Sequence, residues 1–255
     1  QQGPQLLWMR QHQPHVLENA AHGFHCKDWL YYNLTDEIVT DPTEGVFTFG
    51  NFRTRNYDTQ VIDILGLHIE RRLLPAIADG VSVSHTLTPA AAKATGLLAG
   101  TPVVLGYVDV ACTALGAGLY DTGALPGCTI IGSTGMHMRL APTPEDVKLN
   151  ADSTGYTMPL PAPGVYAQMQ SNMAATLNID WVLSIAADPL KSPGAQKTHH
   201  DLLGMMDGWI AEAKPASLIY QPYISEAGER GPFIDGNARA GFLGLSMRHG
   251  FSDLV

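Results

Sequence analysis

Apolar residues recur at helical spacing in several stretches of this chain. In the first 40 residues this spacing predicts two or three short helices, with Pro14 as a break. Residues 57–67 and residues 111–119 show the same helical pattern, and the second of these is rich in small side chains. Residues 40–52 instead alternate apolar with small and polar positions, which predicts an irregular strand or a loop.

Short apolar runs bounded by glycine or polar residues predict the strands. Residues 101–108 form the clearest run and predict a buried strand that ends at Asp109. Residues 128–131 predict a new strand after a connection that carries two glycines and a proline. Further strands are predicted at 136–140, 165–170 and 217–223, further helices at 173–186 and 201–213, and a surface loop at 188–198. Strands and helices mix in both halves, so the predicted fold class is α/β.

Composition restricts the kinds of partner that this chain can have. Its 255 residues, 45% of them hydrophobic, can form one large or two ordinary cores. The 15 basic and 24 acidic residues give a net charge of −9, which argues against nucleic acid as a partner and favours a small molecule. No apolar run is long enough to cross a membrane. Three scattered cysteines fit no disulfide framework or metal motif, which predicts a cytoplasmic location.

The two ends of the chain show the features of an internal piece. The chain begins without methionine inside a predicted helix, and it ends at a serine that is placed to begin another helix. We therefore expect sequence beyond both ends.

Two short segments could carry chemistry. Asp109 follows the apolar run 101–108 and precedes a helix, so its carboxylate is expected near a helix N-terminus at the end of a strand, where a helix cap is the alternative role. The turn Gly132-Ser133-Thr134-Gly135 could bind a phosphate through its amides and hydroxyls, although a plain hairpin turn is the alternative. Ile131 excludes an esterase elbow, and the absence of a following G-K-[ST] excludes a Walker loop.

Four segments, in this order, resemble one protein family. Residues 8–12 (WMRQH) resemble the end of the first signature of the FGGY carbohydrate kinases. Residues 106–118 (GYVDVACTALGAG) resemble the family segment that holds the catalytic aspartate, and residues 132–135 resemble its phosphate-contacting turn. Residues 228–249 are similar to the family's G-E-R-x-P-x-x-D-x-x-A-R-G-x-x-x-G-L segment, with Ala240 in place of glycine. From the residues alone, this last segment would be a loop held by arginine–carboxylate pairs.

The resemblance implies a ribonuclease-H-like (actin-like) sugar kinase with two domains, both incomplete in this chain. Residues 1–124 would be the C-terminal part of the sugar-binding domain, and residues 125–255 the N-terminal part of the nucleotide-binding domain. The family's Asp-Gly-Thr phosphate loop and glycine-rich adenosine loop have no counterpart here, so we expect this chain alone not to turn over ATP. The residues do not indicate an oligomeric state, whereas the resemblance suggests a homodimer.

The resemblance also assigns roles to individual residues. Asp109 would be the catalytic base and a substrate ligand, and Trp29 is a weaker candidate for a wall on which the substrate stacks, a core tryptophan being the alternative. The ATP phosphates would contact Gly132, Ser133, Thr134 and Gly135. ATP and Mg²⁺ would be the cofactors, with no protein metal site predicted, because the group of His22, His25 and Cys26 lacks a companion ligand pair.

The segments CKDWLYYNLTDE, TDPTEGVFTFG and GYVDVACTALGAGLYD most resemble the family branch that phosphorylates erythritol. Ketopentose (xylulose-type) kinases come second. An alternative of another class is a non-catalytic sugar-binding module of the same fold. Retention of both Asp109 and the turn at 132–135 favours the enzyme, because a binding protein needs no catalytic base.

Overall fold

A computed structural model describes residues 2–161, 164–187 and 198–255 and contains both helices and strands, as the α/β prediction requires. The chain divides into two compact units that interleave along the sequence. Unit 1 comprises Gln1–Cys128, Arg139–Lys148 and Thr157–Gln168, and unit 2 comprises Thr129–Met138, Leu149–Tyr156 and Met169–Val255. The domain boundary predicted between residues 124 and 125 stays a prediction.

Unit 1 begins with the short helices that the sequence predicts. Helix α1 (Gln2–His12) and helix α2 (Pro14–Asn19) are separated at Gln13, because a proline in the first turn of α2 has no N–H with which to continue α1. Helix α3 (Cys26–Thr35) ends at Asp36, which adopts the left-handed conformation and donates its N–H to the Tyr32 carbonyl at 2.7 Å.

The prediction of an irregular strand or loop at residues 40–52 is wrong for most of its length. Helix α4 (Pro42–Phe49) occupies this stretch. Asp41 is its N-cap and accepts a hydrogen bond from the Thr43 N–H at 2.7 Å, and Pro42 takes the first helical position, so local capping decides the outcome against the apolar alternation. Phe49 then packs in the cluster that contains Ile62 and Leu67.

Short helices and paired strands make up the rest of the N-terminal part of unit 1. The remaining helices are α5 (Thr59–Ile64), α6 (Pro89–Thr95) and α7 (Asp109–Gly116). Strand β1 (Val39–Thr40) pairs in parallel with β4 (Ala76–Ile77), while β2 (Gly50–Asn51) with β3 (Asn56–Tyr57), and β5 (Ser84–Thr86) with β6 (Pro102–Val104), pair antiparallel.

The strand predicted at residues 101–108 is shorter and less buried than expected. Only β6 is regular, and it pairs with β5 alone in a two-stranded sheet. Val103 packs against the cluster around Leu87, whereas Val104, on the opposite face, is 62% exposed. No second layer covers that face within the described residues, so the strand is half-buried, and Asp109 follows a short irregular segment rather than a strand end.

A four-stranded sheet lies in the middle of the described chain. Its strands are β7 (Gly127–Ile131), β8 (Gly135–Ala141), β9 (Tyr156–Pro159) and β10 (Tyr166–Asn172), in the order β7-β8-β10-β9. Strands β8 and β10 confirm the strands predicted at 136–140 and 165–170. Only three residues join β7 to β8, so these neighbours form a hairpin.

Unit 2 continues with helices that pack around one apolar cluster. They are α8 (Thr176–Ala187), α9 (His199–Leu203) and α10 (Met206–Glu212), followed by the antiparallel pair β11 (Ile219–Gln221) and β12 (Gly241–Leu243). The single helix predicted at 201–213 is two helices, because the chain leaves the first at Gly204. Val182, Leu183 and Leu202 form the buried centre. Residues 188–197 of the predicted surface loop lie outside the described residues.

None of the helices in the described part of the chain is both long enough and apolar enough to cross a lipid bilayer.

Candidate active site

Asp109 is the first residue of α7, and its side chain is exposed to solvent. Its Oδ1 accepts a hydrogen bond from the Val110 N–H at 2.7 Å, and its carbonyl accepts one from the Thr113 hydroxyl at 3.0 Å. Ala111 and Ala114, on the inner side of α7, are completely buried and hold the helix in unit 1. The prediction that this carboxylate stands at a helix N-terminus is therefore confirmed. Its Oδ2 accepts no hydrogen bond from the described residues and can accept one from a bound molecule.

The residue two positions before Asp109 is fixed through its side chain. The Tyr107 hydroxyl donates a short hydrogen bond to Asp79 Oδ1, and Arg55 Nη2 donates to Asp79 Oδ2 at 3.0 Å. Burial of Asp79 opposes its ionisation, but the Tyr107 hydrogen bond, the Val81 N–H and the Arg55 charge outweigh burial, so the pKa of Asp79 is lowered. The ionised carboxylate in turn strengthens its hold on Tyr107, whose pKa is raised by burial and by the bond to Asp79.

The backbone that leads to Asp109 also lies close to the turn at residues 79–83. A Cβ added at Gly80 would lie against the carbonyl oxygen of Leu105, well inside van der Waals contact. Because the obstructing atom is backbone, no side-chain rotation can relieve this overlap. Glycine at position 80 therefore permits the approach of the 79–83 turn to the segment that leads to Asp109.

Gly80→Ala is expected to lower the free energy of unfolding by about 1–3 kcal/mol, because the two backbone segments must separate. Gly116→Ala is the matched control: an added Cβ meets nothing within 4 Å there, so we expect a change of less than about 1 kcal/mol. Urea denaturation of both variants, followed by circular dichroism, measures the difference. Equal stability of the two variants would contradict the close approach.

Lys27, Asp28 and Asp41 form a buried charge cluster in unit 1. Lys27 Nζ lies 2.5 Å from Asp28 Oδ1 and 2.6 Å from Asp41 Oδ2, and both aspartates are completely buried. Burial alone would lower the pKa of Lys27, but the attraction of Asp41 and the hydrogen bonds to both carboxylates raise it. Burial raises the pKa of Asp28, and Lys27 only partly offsets this. Lys27 therefore keeps its charge and compensates two buried carboxylates.

Trp29 lies on α3, beside this cluster in sequence, and its side chain is 54% exposed. The alternative role of a core tryptophan is therefore wrong. Its position on the surface leaves the ring free to contact a bound molecule, so the substrate-wall role stays a prediction.

The turn at residues 132–135 is a hairpin turn between β7 and β8 in unit 2. Ser133 and Thr134 are exposed, and Gly135 is buried where an added Cβ would meet the Asn172 side chain. The Gly132 carbonyl accepts hydrogen bonds from the Thr176 N–H at 3.0 Å and from its hydroxyl at 2.9 Å, and the Ser133 carbonyl accepts from the Ala175 N–H at 2.8 Å. The turn is thus fixed through its carbonyls at the start of α8, while Ser133 and Thr134 are both exposed.

The segment at residues 228–249 is held differently from the loop of arginine–carboxylate pairs that the residues suggested. Glu229 is buried, and its Oε1 accepts hydrogen bonds from the Met173 N–H at 3.0 Å and the Arg230 N–H at 2.7 Å. Arg239 donates to the carbonyls of Gly236 at 3.0 Å and Ala238 at 2.7 Å rather than to a carboxylate. Backbone groups, not ion pairs, therefore fix this loop.

One cavity in unit 1 lies away from both Asp109 and Trp29. It has a volume of about 290 Å³ and lies between α1, α2 and the residues around His25 and Leu73. Its walls are mainly apolar side chains, and the polar side chains among them are Gln2, Gln5, His22, His25, Thr48 and Tyr57. Such a lining suits a molecule less polar than a small sugar, because each sugar hydroxyl needs a hydrogen-bonding partner.

Residues 1–116 match the model of the FGGY family of carbohydrate kinases, N-terminal domain. This match assigns residues 1–116 to the N-terminal domain of that family. The erythritol kinase of Brucella abortus (strain 2308) is 55% identical over 255 residues, which are all of this chain and 49% of that protein. The xylulose kinase of Escherichia coli (strain K12) is 25% identical over 257 residues, covering 99% of this chain and 48% of that protein.

The fold agrees with this FGGY assignment. The crystal structure of a xyloylose kinase from Brucella ovis matches with a TM-score of 0.81 and 22% sequence identity, covering 99% of this chain and 48% of that one. The predicted ribonuclease-H-like sugar-kinase fold is therefore confirmed. The chain spans about half the length of the curated relatives it matches.

The contacts that fix the segment before Asp109 were not found from the sequence. Asp41 followed by Pro42 is a capping signature that could have revealed α4 and the Asp41–Thr43 contact. The pairing of Lys27 with Asp41 and of Tyr107 with Asp79 joins residues distant in sequence, for which spacing gives no signal.

Proposed function

We propose that this chain is part of an ATP-dependent kinase that phosphorylates a hydroxyl of a small polyol, with erythritol as the substrate. The observation that carries this proposal is the 55% identity to the Brucella abortus erythritol kinase over every residue of this chain. In this proposal residues 1–124 belong to the sugar-binding domain, and residues 125–255 begin the nucleotide-binding domain.

Asp109 is the catalytic base in this proposal. Phosphoryl transfer to an alcohol requires a group that orients the hydroxyl and accepts its proton as the new O–P bond forms. An exposed carboxylate at a helix N-terminus, on a segment fixed by Tyr107 and Val108, meets the requirement of a defined position. The same carboxylate can accept a hydrogen bond from a substrate hydroxyl before transfer.

Trp29 is proposed as an apolar wall for the carbon chain of the polyol. Its exposed ring offers a flat surface that packs against C–H groups without competing for the hydroxyls. Hydroxyl recognition would then come from Asp109 and other polar groups, and each hydroxyl left unpaired costs about 1–3 kcal/mol.

The turn of Gly132, Ser133, Thr134 and Gly135 is proposed to contact the ATP phosphates. Its exposed hydroxyls are donors suited to phosphate oxygens, and its carbonyls are already bonded to the start of α8. Within the described residues no group of His, Cys, Asp or Glu side chains forms a metal site. Mg²⁺ would bind the nucleotide phosphates, where it neutralises their charge.

The setting of the enzyme follows the same proposal. The three cysteines, Cys26, Cys112 and Cys128, are free thiols, which suits a reducing cytoplasm. The partner is a small molecule, and the proposed assembly is a homodimer. The chain lacks the Asp-Gly-Thr and adenosine loops of its family, so turnover is expected only from the full-length protein.

A ketopentose kinase is the second candidate, because xylulose kinases also match almost the whole chain, at 25–27% identity. The full-length kinase that carries this chain should be assayed with ATP and Mg²⁺ against erythritol, glycerol, xylulose and ribulose. We expect the highest kcat/KM with erythritol and no turnover after chelation of the metal. A higher kcat/KM with xylulose would favour the second candidate, and no turnover with any of the four would contradict a polyol or ketose kinase.

A further inference from the structure

The backbone next to Asp109 is connected to the buried charge cluster by a chain of hydrogen bonds. The Val108 N–H donates to Thr43 Oγ1 at 3.1 Å. The Thr43 hydroxyl donates a short bond to Asp41 Oδ1, and the other oxygen of Asp41 lies 2.6 Å from Lys27 Nζ. Thr43 and Asp41 are completely buried, so water does not compete for these groups.

The charges of Lys27 and Asp41 fix the direction of the hydrogen bonds that link them to Val108. An ionised Asp41 carboxylate can only accept, so the single proton of the Thr43 hydroxyl must point towards it. The oxygen of that hydroxyl is then available only as an acceptor, and the Val108 N–H is the group it meets. The ammonium group of Lys27 is the charged partner of the other Asp41 oxygen.

The peptide before Asp109 is therefore held on both sides. Thr43 binds the N–H of Val108, and Asp79 binds the side chain of Tyr107. Two fixed points in consecutive residues leave little freedom in the direction from which the chain enters α7. Asp109 makes no hydrogen bond to a distant side chain among the described residues, so its orientation depends on this entry.

We propose that Thr43, held by Asp41 and Lys27, is a positioning residue that sets the orientation of Asp109 through the Val108 N–H. The proposal rests on the proposed role of Asp109 as the base. It adds that the buried cluster contributes to turnover as well as to stability.

The test uses Thr43→Val in the full-length kinase, because valine keeps the shape of threonine but can neither donate nor accept. We expect kcat to fall about 10- to 100-fold, since small displacements of a reacting group have effects of this size. The KM for ATP should stay within about twofold, because Thr43 is distant in sequence from the phosphate turn and lies in the other unit. Thr43→Ser should restore kcat to within about threefold of the wild-type value.

Thr35→Val is the matched control. Thr35 is also buried, and its hydroxyl donates to the Tyr31 carbonyl at 2.7 Å and accepts from the Glu37 N–H at 3.3 Å. Among the described residues, neither of these hydrogen bonds reaches residues 106–109. The stoichiometry of ATP binding by calorimetry gives the folded fraction of each variant, and Thr43→Ala replaces Thr43→Val if the valine variant does not fold. We expect full stoichiometry for all of them and nearly wild-type kcat for Thr35→Val.

An equal loss of kcat in Thr43→Val and Thr35→Val, or no loss in Thr43→Val, would overturn the positioning role. Failure of serine to restore kcat would overturn it as well. Asp109→Asn in the same assay tests the proposed role of Asp109 separately from the positioning role of Thr43. If Asp109→Asn keeps its activity, Asp109 is not the base, whatever the Thr43 variants show.

Discussion

Asp109→Asn is expected to lower kcat of the full-length kinase by about 10²- to 10⁴-fold with erythritol as substrate, the range that a general base contributes. Asparagine preserves the size of the side chain, and its oxygen can still accept the hydrogen bond from the Val110 N–H, so the fold should not change. The asparagine side chain, however, cannot take up the proton of the attacking hydroxyl. ATP affinity should be unchanged, because the proposed phosphate contacts lie in residues 132–135. Steady-state kinetics and ATP titration by calorimetry measure the two effects separately.

Asp121→Asn provides the control for this experiment. Asp121 is also an exposed aspartate of unit 1, and its Oδ1 only accepts hydrogen bonds from the N–H groups of Gly123 and Ala124. An asparagine oxygen can accept these bonds equally well, so kcat should remain within about twofold of the wild-type value. If Asp109→Asn behaves like this control, Asp109 has no role in catalysis.

Lys27→Met is expected to lower the free energy of unfolding by about 3 kcal/mol, the lower end of the cost of breaking a buried ion pair. Methionine fills a similar volume but leaves Asp28 and Asp41 without a compensating charge, although both are completely buried. The lysine side chain is 25% exposed, which places the expected cost at that lower end. Chemical denaturation followed by tryptophan fluorescence measures the change.

Two further variants test the electrostatic origin of this loss. Lys93→Met removes an exposed lysine from α6 and should change stability by less than about 0.5 kcal/mol. Lys27→Met combined with Asp28→Asn should recover part of the lost stability, because one of the two uncompensated charges is then absent. No recovery in the double variant would indicate that lost packing, rather than charge, destabilises the single variant.

The sequence predicted the parts of this molecule that depend on local pattern or on family signatures. The helix start at Asp109 and strands β8 and β10 are found where apolar spacing and glycine positions indicated them. The prediction of a strand or loop at residues 40–52 was wrong because capping by Asp41 outweighed the alternating apolar pattern. The prediction of a long strand at 101–108 was wrong because the extent of a strand depends on its partners, and β6 pairs only with β5 among the described residues.

The surroundings of Asp109 depend on contacts between residues far apart in the chain. Thr43 lies 65 positions before Val108, and Asp79 lies 28 positions before Tyr107. A single sequence contains no spacing rule for such contacts, since they arise only after the helices and strands have packed. The identity of the catalytic residue can therefore be inferred from a signature, whereas the groups that orient it require coordinates.

The attachment of the 132–135 turn to α8 makes the turn observable by hydrogen exchange. The amide protons of Ala175 and Thr176 are bonded to the turn carbonyls, so they can exchange with solvent deuterium only when the turn separates from the helix. Mass spectrometry of the peptide that contains these two residues would then report tightening of the hairpin by a bound nucleotide, even in a variant that cannot carry out transfer.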